Sequence, residues 1–440
     1  MKPSRIGRVG RCFAAVAVAL ALGTCPAVAD QPGAAIDEAK AAAAGIRKLP
    51  PARRLVLYTD LPSTPEVDGL PALFDQAFPQ WCEYFHVPPA EHADWQMTGC
   101  LMKDKGRFRA AGLLPEHLPP FLHGYSMGPL LWLYDQPSDY YRRHLLLHEG
   151  THGFMFSMLG SCGPPWYMEG TAELMGTHRW QDDRLTLNTM PATSSEVPQL
   201  GRIRIVKDAV AQRRAMRLPA IMDYPPDAYL EVKPYAWSWA AAVLLDHHPR
   251  YRDRFRRLYK NVLRADFNEL FHREFAPDWR ELNEEWGVFV AGMEYGYDFT
   301  RTAIDFAPGR PCLAAGAAVQ IAADRGWQPS GVYLEEGQDY RVTATGRYQV
   351  GKNPQIWWCE PGGVSMRYYK GRPLGILLAA IRPEKAAEPG PNPFLRPIVV
   401  GLGATLRPDQ AGTLYLKINH SAAELHDNAG ELTVAVRPAK

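Results

Sequence analysis

Two short blocks hold the residues with which this chain could do chemistry. His148-Glu149-Gly150-Thr151-His152 sets two imidazoles four residues apart, and Trp166-Tyr167-Met168-Glu169-Gly170 follows shortly after. On a helix, residues four apart share a face, so His148 and His152 can aim at one ion while Glu149 points beside it toward a water. Zinc held in this way needs a third protein ligand and keeps one position open, and a carboxylate on the next helix is the usual supplier. Glu169 fits that place. Glu173, one turn further on, can accept the free ring N–H of a ligand histidine and hold its orientation. The chemistry predicted is metal-assisted hydrolysis with Glu149 as the proton acceptor.

Each assignment has a plainer competitor. The two histidines and Glu149 could be accidental neighbours on an ordinary helix, and Glu169 could be a helix-start acid favoured by the dipole. Glu173 could be a solvated or salt-bridging acid. His144 lies four residues before His148, but Leu145 stands where the catalytic glutamate would be needed, so His144 reads as structural.

The elements that must position these groups are legible around them. Pro137-Ser138-Asp139 is a helix start with Ser138 as N-cap, and Tyr140 to Leu159 is apolar enough for a buried helix. Gly150 and Gly153 each cost about 1 kcal/mol inside a helix, which predicts close packing against them. A second helix starts near Pro164-Pro165, with Pro165 at its first position. Leu55–Thr59, Trp95 to Met102 and Leu130–Tyr134 read as strands, and Leu70 to Phe85 as a helix. Later helices are expected at Pro219 to Met222, Tyr235 to Leu245, Tyr251 to Leu263, Asn268 to Phe275 and Asp278 to Met293. The arginines of Tyr251-Arg252-Asp253-Arg254-Phe255-Arg256-Arg257 look like a solvated face.

His148-Glu149-x-x-His152 followed by Trp166-Tyr167-x-Glu169-Gly170-x-Ala172 resembles the gluzincin metallopeptidases, especially peptidase MA-like bacterial proteins whose second block reads roughly W-x-x-E-G-x-A. The resemblance covers roughly Leu55 to Met293. It implies a zincin fold, Zn2+ held by His148, His152 and Glu169, and hydrolysis of a peptide or protein substrate. The G-x-M-E-N element of gluzincin aminopeptidases is missing upstream, and Gly292-Met293-Glu294-Tyr295 lies on the wrong side of the zinc helix. An extended substrate added to an edge strand of the zincin sheet would be held independently of its sequence. Similar proteins carry a tyrosine near the position of Tyr235, whose phenol could support the developing oxyanion; a buried aromatic at a helix start is the competing reading. Tyr229 and His178 are weaker candidates for that task.

The chain has 440 residues, of which 46% are hydrophobic and 11% aromatic, enough for two cores. Its formal net charge of +2 gives no field that would recruit nucleic acid or an anionic surface. Lys2, Arg5, Arg8 and Arg11, the apolar run Phe13 to Gly23 and Ala27-Val28-Ala29 read as a cleavable signal peptide over residues 1–29, ahead of a lipoprotein reading through Cys25. No other stretch has the length of a membrane helix. A periplasmic or secreted location follows. It leaves Cys82, Cys100, Cys162, Cys312 and Cys359, for which proximity favours pairing Cys82 with Cys100 and Cys312 with Cys359. Cys162 would then be free near the metal, where a thiolate ligand is conceivable but Glu169 has the better context.

Residues 30–52 read as a tether or loose helix, 53–300 as the zincin-like domain and 301–311 as a linker. From 312 to 440 the period changes to two, at Tyr340 to Ala344, Leu414 to Ile418 and Leu432 to Val436, which predicts an all-β, jelly-roll-like sandwich. Trp327-x-x-Ser330-Gly331-Val332-x-Leu334-x-x-Gly337, Gly412-x-Leu414-Tyr415-Leu416-x-Ile418-Asn419 and Asp427-Asn428-x-Gly430 are similar to the galactophilic PA-I lectin fold. That family binds sugar through calcium, but here His420 follows Asn419 where an aspartate would start the calcium loop, which removes a hard anionic oxygen. Asn419, Asp427 and Asn428 then read as loop formers.

The expected class is α+β. Two functions remain: an exported zinc peptidase, or a non-catalytic cell-envelope binding protein that uses the lectin-like domain on a zincin scaffold. An intact Glu149 and ligand set favours the enzyme.

Overall fold

The computed structural model describes residues 36–384 and 390–439. The signal-like segment lies outside them. The class is α+β, with several sheets and helices in separate layers.

The first sheet has five strands: β1 Arg47–Lys48, β2 Leu55–Thr59, β3 Met97–Met102, β4 Gly124–Met127 and β5 Leu130–Tyr134. Their order is β1-β2-β3-β5-β4. The three central strands are parallel, with Leu57 opposite Gly99 and Gly99 opposite Leu131. The outermost strand β4 runs antiparallel to β5, pairing Gly124 with Leu133. Alternation sends Leu57, Leu101 and Leu131 into the large helical core and Tyr58, Cys100, Met102 and Trp132 into a smaller core on the other face.

Helix α1 (Leu70–Tyr84) lies on the large-core face beside α2 (Asp139–Leu159) and α3 (Pro165–Gly176). Ser138 caps α2 by accepting from the Tyr141 N–H, and Gly160 ends it in the left-handed region at φ 77°. The helix glycines are steric necessities. A Cβ on Gly150 would meet the Phe74 ring at 2.5 Å, and one on Gly153 would meet the Met97 methyl at 2.2 Å. Helices α4 (Arg202–Ala211), α5 (Val232–His247), α6 (Phe267–Phe275) and α7 (Trp279–Gly292) follow, with shorter helices at Leu218–Met222 and Phe299–Thr302. The helix expected over Tyr251 to Leu263 is shorter: an α-helix covers Arg252–Arg257 and a 3-10 turn covers Leu258–Asn261.

Residues 38–52 are more than a tether. Glu38–Ala43 is a helix, β1 pairs Arg47 with Thr59, and Ala41, Ile46 and Leu49 are buried, because their apolar groups complete the cores beside β2.

The C-terminal part packs two sheets face to face. Strands β6 (Arg310–Pro311), β7 (Ala317–Ala322), β8 (Gln328–Leu334), β9 (Tyr340–Thr345), β10 (Leu377–Pro383), β11 (Ile398–Val399), β12 (Gly403–Leu406), β13 (Gly412–Ile418) and β14 (Glu431–Pro438) form orders β11-β10-β13-β8-β6 and β12-β9-β14-β7. Val332, Leu334, Val342, Leu414, Leu416, Val434 and Val436 fill the space between them. The expected linker is tied down. Ile304 is buried, its N–H donates to Glu285 at 2.8 Å, and Arg310–Pro311 already pairs with β8, so the sandwich begins before 312.

All five described cysteines are free. Cys82 and Cys100 sit on opposite faces of the first sheet, so for that pair closeness in sequence did not translate into closeness in space, while Cys312 and Cys359 both reach the core of the sandwich and are free. Among the described residues, no helix is long and apolar enough to cross a membrane.

Candidate metal centre

Helix α2 presents His148 and His152 on one face, and α3 crosses beside it with Glu169. His148 Nε2 lies 3.1 Å from Glu169 Oε2 and 3.1 Å from His152 Nε2, while His152 Nε2 lies 3.5 Å from Glu169 Oε2. Ligand atoms at ~2.05 Å from a tetrahedral zinc would sit ~3.3 Å apart. The triangle therefore has the size that such an ion requires, and its three corners are buried. The residues present fit a metal.

Two supports hold α3 against its neighbours. A Cβ on Gly170 would meet the Ser238 carbonyl of α5 at 2.8 Å, so glycine here allows α3 and α5 to touch. Trp166 and Tyr167 are core anchors: both are buried, the Trp166 indole N–H donates to Asn268 Oδ1 at 2.8 Å, and both rings pack on Phe267.

A second group of possible ligands, His144, His148 and Glu173, lies alongside. Its carboxylate is already committed. Arg202 on α4 donates from Nε and Nη2 to both oxygens of Glu173 at 2.7 Å each. The same oxygens lie 3.5 Å from His148 Nδ1 and 3.5 Å from His144 Nε2. His148 thus faces Glu173 with Nδ1 and the triangle with Nε2, the division that a metal-binding histidine needs. Burial would raise the Glu173 carboxyl, but the Arg202 charge outweighs it and holds the group ionised, well below the usual carboxylate range. His144 is fully buried between Tyr140 and Tyr141, in line with a structural role.

The metal-free electrostatics show how tightly the triangle is drawn. Burial pushes His148 down, yet the carboxylates of Glu169, at 3.1 Å, and Glu173, at 3.5 Å, carry it up to about 9. Burial pushes Glu169 up, yet His152 and His148 hold it at about 2. Glu149 is buried next to this triangle, and burial raises its carboxyl against the pull of the two histidines.

The Glu149 side chain lies against β4. A Cβ on Gly124 would come within 2.5 Å of Glu149 Oε1, so any other residue here forces the carboxylate to move. Tyr235, at the start of α5, is half-buried with its ring 5.9 Å from the His148 ring and 5.6 Å from the Arg202 guanidinium. Burial, then the charges of Glu169, Glu149 and Glu173, raises its phenol, which stays protonated as a donor. The rival candidates are occupied elsewhere: Tyr229 shares a 2.6 Å hydrogen bond with Ser238, and His178 stacks on Tyr140 with Nδ1 2.8 Å from the Gly176 carbonyl. Cys162 Sγ donates to the His152 carbonyl at 3.6 Å and is outside the ligand triangle.

Sequence reasoning missed Gly124 and Arg202. The turn Gly128-Pro129 before β5 was the available signal for a hairpin that includes β4. Arg202 carried no signal that set it apart from the chain's other arginines.

In the C-terminal part, the Asn419 side-chain amide donates to the carbonyls of Tyr369, Arg372 and Pro373 at 2.9, 3.2 and 3.1 Å, which makes it a loop clamp. Glu294 of the Gly-Met-Glu-Tyr stretch bonds Tyr369 and Ser421 of the C-terminal part.

No family model matches the chain. No curated protein matches it either. Among solved structures, it is similar to one described as "EclA N-terminal domain; PllA-like lectin", with 22% identity over 28% of this chain and 95% of that chain, at a TM-score of 0.21.

Proposed function

We propose that the chain is an exported zinc-dependent metallopeptidase, with His148, His152 and Glu169 as metal ligands. The observation that carries this reading is the buried triangle of Nε2, Nε2 and Oε2 atoms with edges of 3.1–3.5 Å and a buried Glu149 adjoining it. Zinc, when bound, supplies Lewis-acid polarisation of the scissile carbonyl and acidifies the attacking water. The remaining work falls to the chain. Glu149 takes the proton of the attacking water and passes it to the leaving amine. Strand β4 is outermost in its sheet and adjoins Glu149 through Gly124, so an extended peptide can add along its free edge and present its carbonyl there. Tyr235 donates its phenol proton as a hydrogen bond to the oxyanion that develops. Glu173 holds His148 through Nδ1, and Arg202 keeps Glu173 ionised.

Metal analysis alongside digestion of a quenched-peptide library tests this. Glu149→Gln keeps the size of the side chain but cannot accept a proton. It should retain one zinc per chain and lose roughly 10²–10⁴-fold in rate. His148→Ala or Glu169→Ala should lose metal as well as activity. A wild type that binds zinc and cleaves nothing in the library would leave only a metal-binding scaffold.

A further inference from the structure

Where α7 meets the outer face of the five-stranded sheet of the sandwich, the two parts enclose a cavity of about 220 Å³. Its wall carries the half-buried Arg372 and Lys417 together with the exposed Arg325 and Lys370, and contains no aspartate or glutamate. None of these four cations makes an ion pair among the described residues. Lys370 Nζ donates to the Ala291 carbonyl at 2.8 Å, and Lys417 Nζ lies 4.9 Å from the ring centre of the buried Trp327. The acids around it are engaged elsewhere: Glu294, whose charge reaches Lys370, bonds Tyr369 and Ser421, Glu424 pairs with Arg367 at 2.8 Å, and Asp324 pairs with Arg301 at 3.6 Å.

The lysine is placed at odds with its surroundings. On β13, Leu414, Leu416 and Ile418 face the sandwich interior, while Tyr415 and Lys417 face outward. That outward face is itself covered, by Ile304, Phe306, Val288 and Phe394. Lys417 therefore stands in a domain interface without a counter-charge. Burial, with the charges of Lys370 and Arg372, lowers its ammonium to about 7. Concentrated like charge in a partly desolvated cavity is unfavourable until an anion enters.

We propose that this cavity is a binding site for a small organic oxyanion, a molecule bearing a phosphate or carboxylate group on a partly apolar body. Arg372 offers the planar fork that suits either group, and Lys417 and Lys370 add point charges. Trp327 and Phe394 supply the apolar wall. The volume is below the roughly 300–1,000 Å³ of sites for drug-sized molecules, which limits the occupant to about the size of a single phosphorylated or carboxylated sugar or amino acid. The site owes nothing to the metal centre and stands whether or not the chain is a peptidase.

The test is a thermal and calorimetric titration of the full chain, at constant ionic strength set with sodium chloride, using inorganic phosphate, glucose 6-phosphate and glucuronate as separate probes. Saturable binding of at least one probe, with a raised melting temperature, is expected. Phosphate with glucose 6-phosphate, or glucuronate alone, tells which oxyanion the site prefers. Lys417→Met keeps the aliphatic stem and should remain folded, yet lose at least tenfold in affinity; Arg372→Gln should do the same. If no probe binds more tightly than chloride, or if both variants bind as well as the wild type, the proposal is wrong.

Discussion

Replacing Gly124 by alanine adds one methyl group at the point where β4 passes the proposed general base. The added Cβ would stand 2.5 Å from Glu149 Oε1, 2.9 Å from Cγ and 3.1 Å from Cδ. Carbon and oxygen normally approach no closer than about 3.3 Å, so the carboxylate must retreat by about 0.8 Å. The backbone of Gly124 lies outside the left-handed region, and alanine can adopt it. The strain therefore falls on the Glu149 side chain rather than on the fold. A misplacement near 1 Å at a reacting group costs about 10²-fold in rate. The assay is kcat on the best library peptide, with zinc content and melting temperature measured on the same preparation. Gly124→Ala should lose about 10²-fold in kcat, keep its zinc and melt within a few degrees of the wild type. Unchanged kcat would refute the claim that β4 positions Glu149. Loss of zinc together with kcat would show that the contact supports the ligands instead.

Other substitutions separate the remaining roles. Arg202→Met leaves the Glu173 carboxylate buried without its partner, which should destabilise the fold by about 3–5 kcal/mol in denaturant titrations. In the fraction that still folds, zinc affinity should fall about 10–100-fold, because His148 loses its fixed orientation; unchanged affinity would make Arg202 purely structural. Tyr235→Phe should lower kcat while KM and zinc content stay constant, since the phenol is assigned only to the oxyanion; a change confined to KM would place it in substrate binding. Expressed from Arg310, the C-terminal part should give an all-β circular dichroism spectrum and bind a hydrophobic dye, because Leu378, Tyr415, Phe394 and Trp327 lose the cover of Val288 and Phe306. Helical signal would overturn the boundary.

The residues of the candidate metal site were legible because metal chemistry would force a local pattern on them. His148 and His152 must share a helix face, and Glu169 must follow on a second helix, whose start at Pro165 could be read from the fixed φ of proline. The supports were not legible, since their partners lie far apart in sequence. Gly124 matters through a helix residue 25 positions later, and Arg202 through a carboxylate 29 positions earlier. Nothing in the types of those residues records the contact. Strands β9, β13 and β14 of the sandwich were visible because apolar side chains alternate along each, with one face turned to the core that holds Val342, Leu414 and Val434. β1 and β6 have two residues each, too short for any period to show. The Cys82–Cys100 pairing failed for a related reason: alternation along β3 sends Cys100 away from the core that holds Cys82.

How the two parts meet follows from α7. Arg382 of β10 donates to Glu284 at 2.7 Å and to Glu281 at 2.6 Å, while Arg280 reaches Glu284 at 3.1 Å and the Pro383 carbonyl at 2.5 Å. Gly287 lets the helix come close, since a Cβ there would meet the Asn392 amide at 2.6 Å. Burying such charges costs desolvation that their attraction roughly offsets, so the network adds little net stability. Its effect is on orientation. A sheet face of Leu378, Ala380 and Tyr415 could slide over an apolar helix in several registers, but only one pairs Arg382 with both Glu281 and Glu284. That register sets Lys370 over the end of α7 at Ala291 and closes the cavity around Lys417. The unpaired cations at one end of the interface thus depend on the paired ones at the other, and a variant that breaks Arg382 from Glu284 would be expected to weaken anion binding without touching the cavity itself.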